Sequence, residues 1–282
     1  MLNTAQGSTP LPDRRICAII VNYYKADRVN LCLMSLRNQT FADILAISVV
    51  DNSVYLTEAQ TLRQAIRPGE RLIITKNNLG YPRGVNLAVR NAGYDGDVLL
   101  ISPDIILENP ATIEIMAGLM QANPSIGILA VQQYNDDGSR VEIARRFPRP
   151  LRQLLRRIAP SRYSELSLLR ELEVKQMIDV EWVQSSFVMI RRALWDSVSG
   201  LDERYYVFMS DIDLCHRAHD HGLRVVVSSA VTVRADGQRA SAGTIWAFFR
   251  NRALRIHVRD AIIYYFLSKL RLGRKISKRL RP

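Results

Sequence analysis

Two aspartates, Asp211 and Asp213, sit in the stretch VFMSDIDLCHR (207–217), after four mostly apolar residues and just ahead of Cys215 and His216. An aspartate near its ordinary pKa of about 3.9 is ionised at neutral pH and can take a proton from a hydroxyl that is forming a bond. The same residues also suit a plainer role. Serine and aspartate are favoured at helix N-termini, so Ser210 and the two carboxylates can simply open a helix. If a helix begins at 211, the carboxylates diverge around its axis and need not share a task. Cys215, His216, His219 and His221 raise the question of zinc, and Cys215 and His219 fall on one helical face. The ligand spacing of structural zinc sites is absent, which favours solvated helix residues.

Elements that could position such groups are legible upstream. ICAIIVNYY (16–24) and LAISVVDNS (45–53) are short apolar runs that predict buried strands, RLIITKN (71–77) predicts a third strand, and DVLLISPDIIL (97–107) a fourth, broken by Ser-Pro-Asp. Between them, 28–39, 56–66 and 80–93 have helical character, the second opened by a Thr57-x-x-Gln60 capping pattern and the third bounded by glycine. Strand alternating with helix predicts an α/β fold with a doubly wound, mostly parallel sheet, in which ligands bind beyond the carboxyl ends of the strands. Asn22, Asp51, Asn77 and Asp104 end these runs. Each can be a turn residue, but four in succession point to a site. No GxGxxG follows the first strand and there is no Walker loop, which disfavours a dinucleotide or P-loop site. Further on, 164–177 predicts an amphipathic helix, 179–198 a strand then a helix, and 223–235 another strand.

With 282 residues, 48% of them hydrophobic, the chain has ample material for a core. The N-terminus lacks an apolar run of signal length, and AIIYYFL (261–267) is too short to span a bilayer. Three widely spaced cysteines argue against a disulfide framework and for a reducing cytoplasm. The net charge of +12 is unevenly placed: residues 250–282 hold eleven Lys/Arg against one acid, Asp260, and 140–157 hold seven arginines against one glutamate. Such clusters point to a polyanionic surface, either anionic lipid or nucleic acid.

The order of motifs resembles the family 2 glycosyltransferases, inverting enzymes of the GT-A nucleotide-diphospho-sugar fold. The residues that carry the likeness are IIVNYY, VVDNS, NNLGYPRGVNLAV, SPDI in place of the family's Asp-x-Asp motif, and GLDERYYVFMSDIDLCHRAHDHG. Within the family the chain looks most like bacterial rhamnosyltransferases of surface polysaccharides, the C-terminal RNRALRIHVRDAIIYYF included. The resemblance implies a division into a tail (1–14), a nucleotide-sugar half (15–135), an acceptor half with the base (136–245) and a basic amphipathic tail (246–282).

Carried over residue by residue, the resemblance makes Asp211 the catalytic base, with Asp213 orienting the acceptor or supporting the loop. Asp51 matches the carboxylate that accepts the ring N–H of uracil or thymine. Asn22 and Tyr23 would lie beside the nucleoside; Tyr23 either stacks on the base or packs as a core aromatic. Asn86 is either a helix-capping or a donor-binding residue. Trp182 falls beneath the acceptor sugar or in the core. Asp104 is the candidate ligand for Mg²⁺ or Mn²⁺ against the diphosphate. Three positions depart from the family: Ser102 replaces the first acid or amide of the metal motif, Ser210 replaces the glutamate before the base, and the metal-holding histidine would fall at Arg234 or Ala235. Guanidinium from Arg83, Arg234 or Arg239 is the substitute for a cation.

The resemblance to the rhamnosyltransferases implies transfer of L-rhamnose from dTDP-rhamnose to a lipid-linked glycan of the O-antigen or lipopolysaccharide type. The alternative, motivated by the three departures, is a catalytically impaired nucleotide-sugar-binding partner in a glycan assembly complex. The basic tail predicts peripheral attachment to anionic lipid at the cytoplasmic face of a bacterial inner membrane, against a solvated helix or a homodimer contact. A nucleic-acid partner is not expected, because no reading motif accompanies the charge.

Overall fold

The computed structural model describes residues 15–148, 171–236 and 255–267. Strands β1 (Ile16–Asn22), β2 (Leu45–Asp51), β3 (Arg71–Ile74), β4 (Val98–Ile101), β5 (Ile126–Asn135), β7 (Met177–Asp179), β9 (Phe187–Ile190) and β10 (Arg224–Ala235) form one eight-stranded sheet in the order β3-β2-β1-β4-β9-β5-β10-β7. Neighbours in the β3-β2-β1-β4 half are parallel, β9 is antiparallel to both β4 and β5, β10 is parallel to β5, and β7 is antiparallel to β10. A separate pair, β6 (Ala144–Arg145) and β8 (Trp182–Val183), is antiparallel. The large sheet thus takes its strands from both 16–135 and 177–235.

β1 and β2 are almost wholly apolar because central parallel strands are covered on both faces. Alternate residues feed two cores. One holds Cys17, Ile19 and Val50 with the helices α3 (Tyr81–Ala92), α5 (Arg192–Ser197) and α6 (Ser210–Asp220). The other holds Ile16, Ala18, Ile20 and Val49 with α1 (Ala26–Arg37), α2 (Leu56–Ala65) and α4 (Thr112–Ala122). A last described helix, α7 (255–267), buries Asp260, Tyr264 and Leu267 against the first core, while Arg255, Arg259, Ile262 and Phe266 face outward.

Two local expectations fail. Thr57 does not cap α2: the helix starts at Leu56 behind Tyr55, with no side-chain cap, so Thr57 lies inside the first turn. Residues 171–177 are not α-helical, since Glu171–Glu173 make one 3-10 turn and β7 follows at once. Pairing with β10 outweighs the amphipathic pattern there, and the rest of the expected helix lies outside the described residues. The SPDI run also ends as a strand at Ile101, because Ser102 and Pro103 begin a turn in which Ile105 N–H reaches back to Ser102 O.

Candidate active site

Strand register builds the donor side. Asn22 and Asp51 are paired positions at the carboxyl ends of β1 and β2, so their side chains meet: Asn22 Nδ2 lies 3.1 Å from Asp51 Oδ1. The same nitrogen donates to Ser53 Oγ (3.1 Å) and Glu58 Oε2 (3.0 Å), and Ser53 N–H donates to Asp51 Oδ1. Burial of so many polar atoms is tolerable only because they bond to one another. One atom is left out. Asp51 Oδ2 is buried and has no protein partner, the pattern expected where a ligand donor completes the site. Beside it Tyr24 and Val54 take left-handed φ values of 56° and 55°, an unusual conformation that for a β-branched valine is strained. Tyr23 is half exposed and packs edge-on to Tyr24, so it is not a core aromatic.

The second cluster lies past β4. Ile106 and Arg234 exchange backbone hydrogen bonds, which draws the end of β10 to the turn after β4. This brings Asp236, the residue after β10, onto Asp104. Their carboxyls are hydrogen-bonded; burial, with the neighbouring Asp236, holds Asp104 above the usual carboxylate range, and Lys25 pulls the other way. Lys25 Nζ is 3.4 Å and Arg28 Nε 3.9 Å from Asp236 Oδ2. The sequence placed the missing metal-side residue at 234 or 235; the fold supplies a carboxylate at 236. Among the described residues no group of three or more His, Cys, Asp and Glu converges. Cys215 is buried, and His219 Nε2 is 2.9 Å from Glu181 O.

Asp211 stands in the first turn of α6, part-buried beside the same rim. β9 pairs antiparallel with β4, so Ser186 lies opposite Ser102, whose N–H donates to Ser186 O at 2.7 Å. The preceding residue, Ser185, gives its N–H to Asp211, and its carbonyl accepts the Tyr81 hydroxyl at 3.3 Å. Asp211 is thus joined through Ser185 and Ser186 to the end of β4. Burial pushes its carboxyl above the ordinary value, offset in part by N–H donors from Ile212 and Ser185 and by the charge of Arg145.

Other candidate residues are engaged within the protein. Asn86 donates to Leu201 O (2.7 Å) and Glu203 Oε1 (3.0 Å) and accepts from Leu201 N–H (2.9 Å), so its amide ties α3 to the 201–203 loop. Asp213 is fully buried and lies 2.8 Å from Arg217 Nε; the same guanidinium donates to Val198 O and Gly200 O. It braces the loop from inside and does not face an acceptor. Trp182 is buried in the β6–β8 pair, its indole N–H donating to Arg146 O and the Arg145 guanidinium lying 5.6 Å over its ring. Arg83 and Arg234 face carboxylates, Arg83 toward Glu203 at 3.9 Å and Arg234 toward Glu108 at 3.1 Å and Asp136 at 3.6 Å. Arg239 lies outside the described residues.

A sheet with two parallel groups of strands around the reversed strand β9, a second reversed strand, β7, at one edge, and polar side chains past the carboxyl ends is the GT-A architecture of sugar transferases. Solved structures with that architecture align with the chain: a mannosyltransferase of Pyrobaculum calidifontis in complex with GDP-Man and Mn²⁺ (TM-score 0.57, 16% identity, 81% of this chain and 58% of that one). The same holds for S. aureus TarS 1–349 in complex with UDP-GlcNAc (TM-score 0.55, 16% identity, 82% of this chain and 62% of that one). The chain belongs to the family described as "Glycosyltransferase like family 2", whose sequence profile matches residues 12–255. It is also 29% identical over 178 residues to the N-acetylglucosaminyl-diphospho-decaprenol L-rhamnosyltransferase of two Mycobacterium tuberculosis strains. That match takes in 58% of this chain and 58% of the curated relatives' length.

Proposed function

We propose that the chain transfers a sugar, L-rhamnose from dTDP-rhamnose, to a lipid-linked saccharide with inversion, and that Asp211 is the base. The observation that carries this is a part-buried carboxyl at Asp211 beside Ser185, whose neighbour Ser186 accepts the Ser102 N–H just past the end of β4. In the reaction the acceptor hydroxyl oxygen forms a bond to C1 of the sugar, the bond from C1 to the diphosphate oxygen breaks, and the hydroxyl proton passes to Asp211. Burial supports the assignment, because a carboxylate of raised pKa is a stronger acceptor for that proton. The vacant Asp51 Oδ2 suits the N3–H of a thymine or uracil, and half-exposed Tyr23 offers a face for the ring.

Two neighbouring carboxyls, Asp104 in the turn after β4 and Asp236 just past β10, form a donor set that suits a hard divalent cation, so they would hold Mg²⁺ or Mn²⁺. Bound there, the cation supplies positive charge to the leaving diphosphate. Lys25 and Arg28 contribute charge at the same corner.

Rhamnose rests on the partial likeness to the mycobacterial enzyme, whose name also includes a polyprenyl-linked acceptor. The outer face of α7, with Arg255, Arg259, Ile262 and Phe266 exposed, suits an anionic lipid surface, with the protein at the cytoplasmic face of the membrane. No described helix is long and apolar enough to cross a bilayer. On this basis the chain should bind anionic vesicles at low salt and leave them at high salt.

The test of the reaction is direct. The protein is incubated with dTDP-rhamnose and other nucleotide sugars, with a lipid-linked acceptor and with or without Mg²⁺, and released nucleoside diphosphate is measured. Release of dTDP by the wild type and not by Asp211→Asn supports the proposal. Nucleotide binding without turnover of any donor would instead favour the glycan-assembly partner, which Ser102 and Ser210 first suggested.

A further inference from the structure

Asp260 is the one acid among the cations of residues 250–282, and it is fully buried. Its carboxylate collects three successive backbone N–H groups from the loop that leads to Asp211. Tyr206 N–H lies 3.2 and 3.1 Å from Oδ1 and Oδ2, Val207 N–H 3.0 Å from Oδ2 and Phe208 N–H 2.9 Å from Oδ2. Consecutive N–H groups turned to one point form an anion-binding nest, and here the anion is a side chain from 52 to 54 residues away. Arg259, on the same helix, lies 3.3 Å from Oδ1 of Asp260 and 3.4 Å from Arg204 O.

The loop held this way is clamped from its other side too. Tyr206 O accepts from Tyr81 N–H at 2.7 Å, and the Tyr206 hydroxyl donates to Asn78 O at 3.1 Å. Gly80, with φ of 82°, sits so close that a Cβ there would collide with Tyr206 O. Tyr81 in turn reaches Ser185, which supports Asp211. Three residues after Phe208 comes the carboxylate itself, through Met209 in a left-handed conformation (φ 66°) that is uncommon for a residue with a side chain and is kept where surrounding contacts hold it.

We propose that Asp260 is a positioning residue: from α7 it fixes the 206–208 backbone and through it the placement of Asp211 against the donor rim. The proposal rests on the reading of Asp211 as base. It gives the C-terminal helix a part in catalysis that is separate from any attachment to lipid, because Asp260 faces inward while Arg255, Arg259, Ile262 and Phe266 face out.

The full chain carrying Asp260→Ala or Asp260→Asn is compared with the wild type and with Asp211→Asn in three measurements: steady-state kinetics, dTDP affinity, and amide hydrogen exchange. With Asp260→Ala, kcat should fall about 10- to 100-fold, the scale set by small misplacements of a reacting group, with dTDP affinity within about twofold of wild type. Exchange at 206–208 should quicken while that of the β2 amides stays as it was. Asp260→Asn, which keeps one acceptor oxygen, should fall between. A kcat within about twofold of wild type, or unchanged exchange at 206–208, would overturn the proposal. So would loss of kcat, dTDP affinity and β2 protection together, which marks general unfolding. Full activity of Asp211→Asn would remove the base and leave Asp260 judged by its own kinetics and exchange.

Discussion

The donor side and the acceptor side of the cleft are held by different kinds of bond. On the donor side the partners are neighbours in register or in sequence: Asn22 meets Asp51 because β1 and β2 align residue for residue, and Ser53 and Glu58 follow within one turn and helix. On the acceptor side Asp211 depends on groups far along the chain: Ser185, Tyr81 and, through 206–208, Asp260. The difference teaches that the Asn22–Asp51 cluster is as stable as the central strands that form it. If Asp211 is the base, changes in α7 should be able to displace it.

Substitutions sharpen that contrast. Asp211→Asn should lower kcat by about a thousandfold, within the range for loss of a general base, and leave dTDP affinity alone. Equal loss of affinity would mean that the two sides are not separable. Asp213→Ala should cost about 3–5 kcal/mol of stability, read from denaturant unfolding, since it strands Arg217 in the interior. A stable variant with a raised acceptor KM would return Asp213 to the acceptor role first expected of it. Asp51→Asn replaces one acceptor oxygen by an N–H donor; dTDP should bind about 10- to 100-fold more weakly while kcat at saturation holds. Asp236→Asn should reduce the response to added Mg²⁺ about tenfold if the Asp104 pair holds the cation, and change nothing if Lys25 and Arg28 alone serve the diphosphate. The smallest effect is on pH. Asp211 must be ionised to accept a proton, and its pKa is raised, so kcat should fall as pH drops through a value above the usual carboxylate range. An acid limb in the ordinary range would show that burial does not govern the base.

Legibility followed the same divide. Strands form over 16–22, 45–51 and 71–74, and Asn22 and Asp51 do end theirs, because strands covered on both faces need contiguous apolar residues and their ends need polar ones; β3, at the sheet edge, is only partly covered. The type of each candidate residue was visible; where its side chain would go was not. The sequence leaves open what Asn86 and Trp182 bond to; the 201–203 loop and the Arg146 carbonyl beside the β6–β8 pair supply those partners. Asp236 follows no motif and was missed. A cross-bridge between Ile106 and Arg234 places it, and no local pattern encodes that bridge. β5 was likewise unmarked by any motif, although it is the parallel partner that carries β10.

Periodicity and residue type alone settle that this chain forms an α/β sheet with carboxylates past its strand ends, since burial of apolar runs and solvation of their polar ends are local matters. Which carboxylates face one another is a different question. Asp104 meets Asp236, and Asp260 meets the loop before Asp211, only through contacts between segments more than fifty residues apart. Such pairings depend on how whole elements pack, and side-chain chemistry read one segment at a time does not contain that geometry.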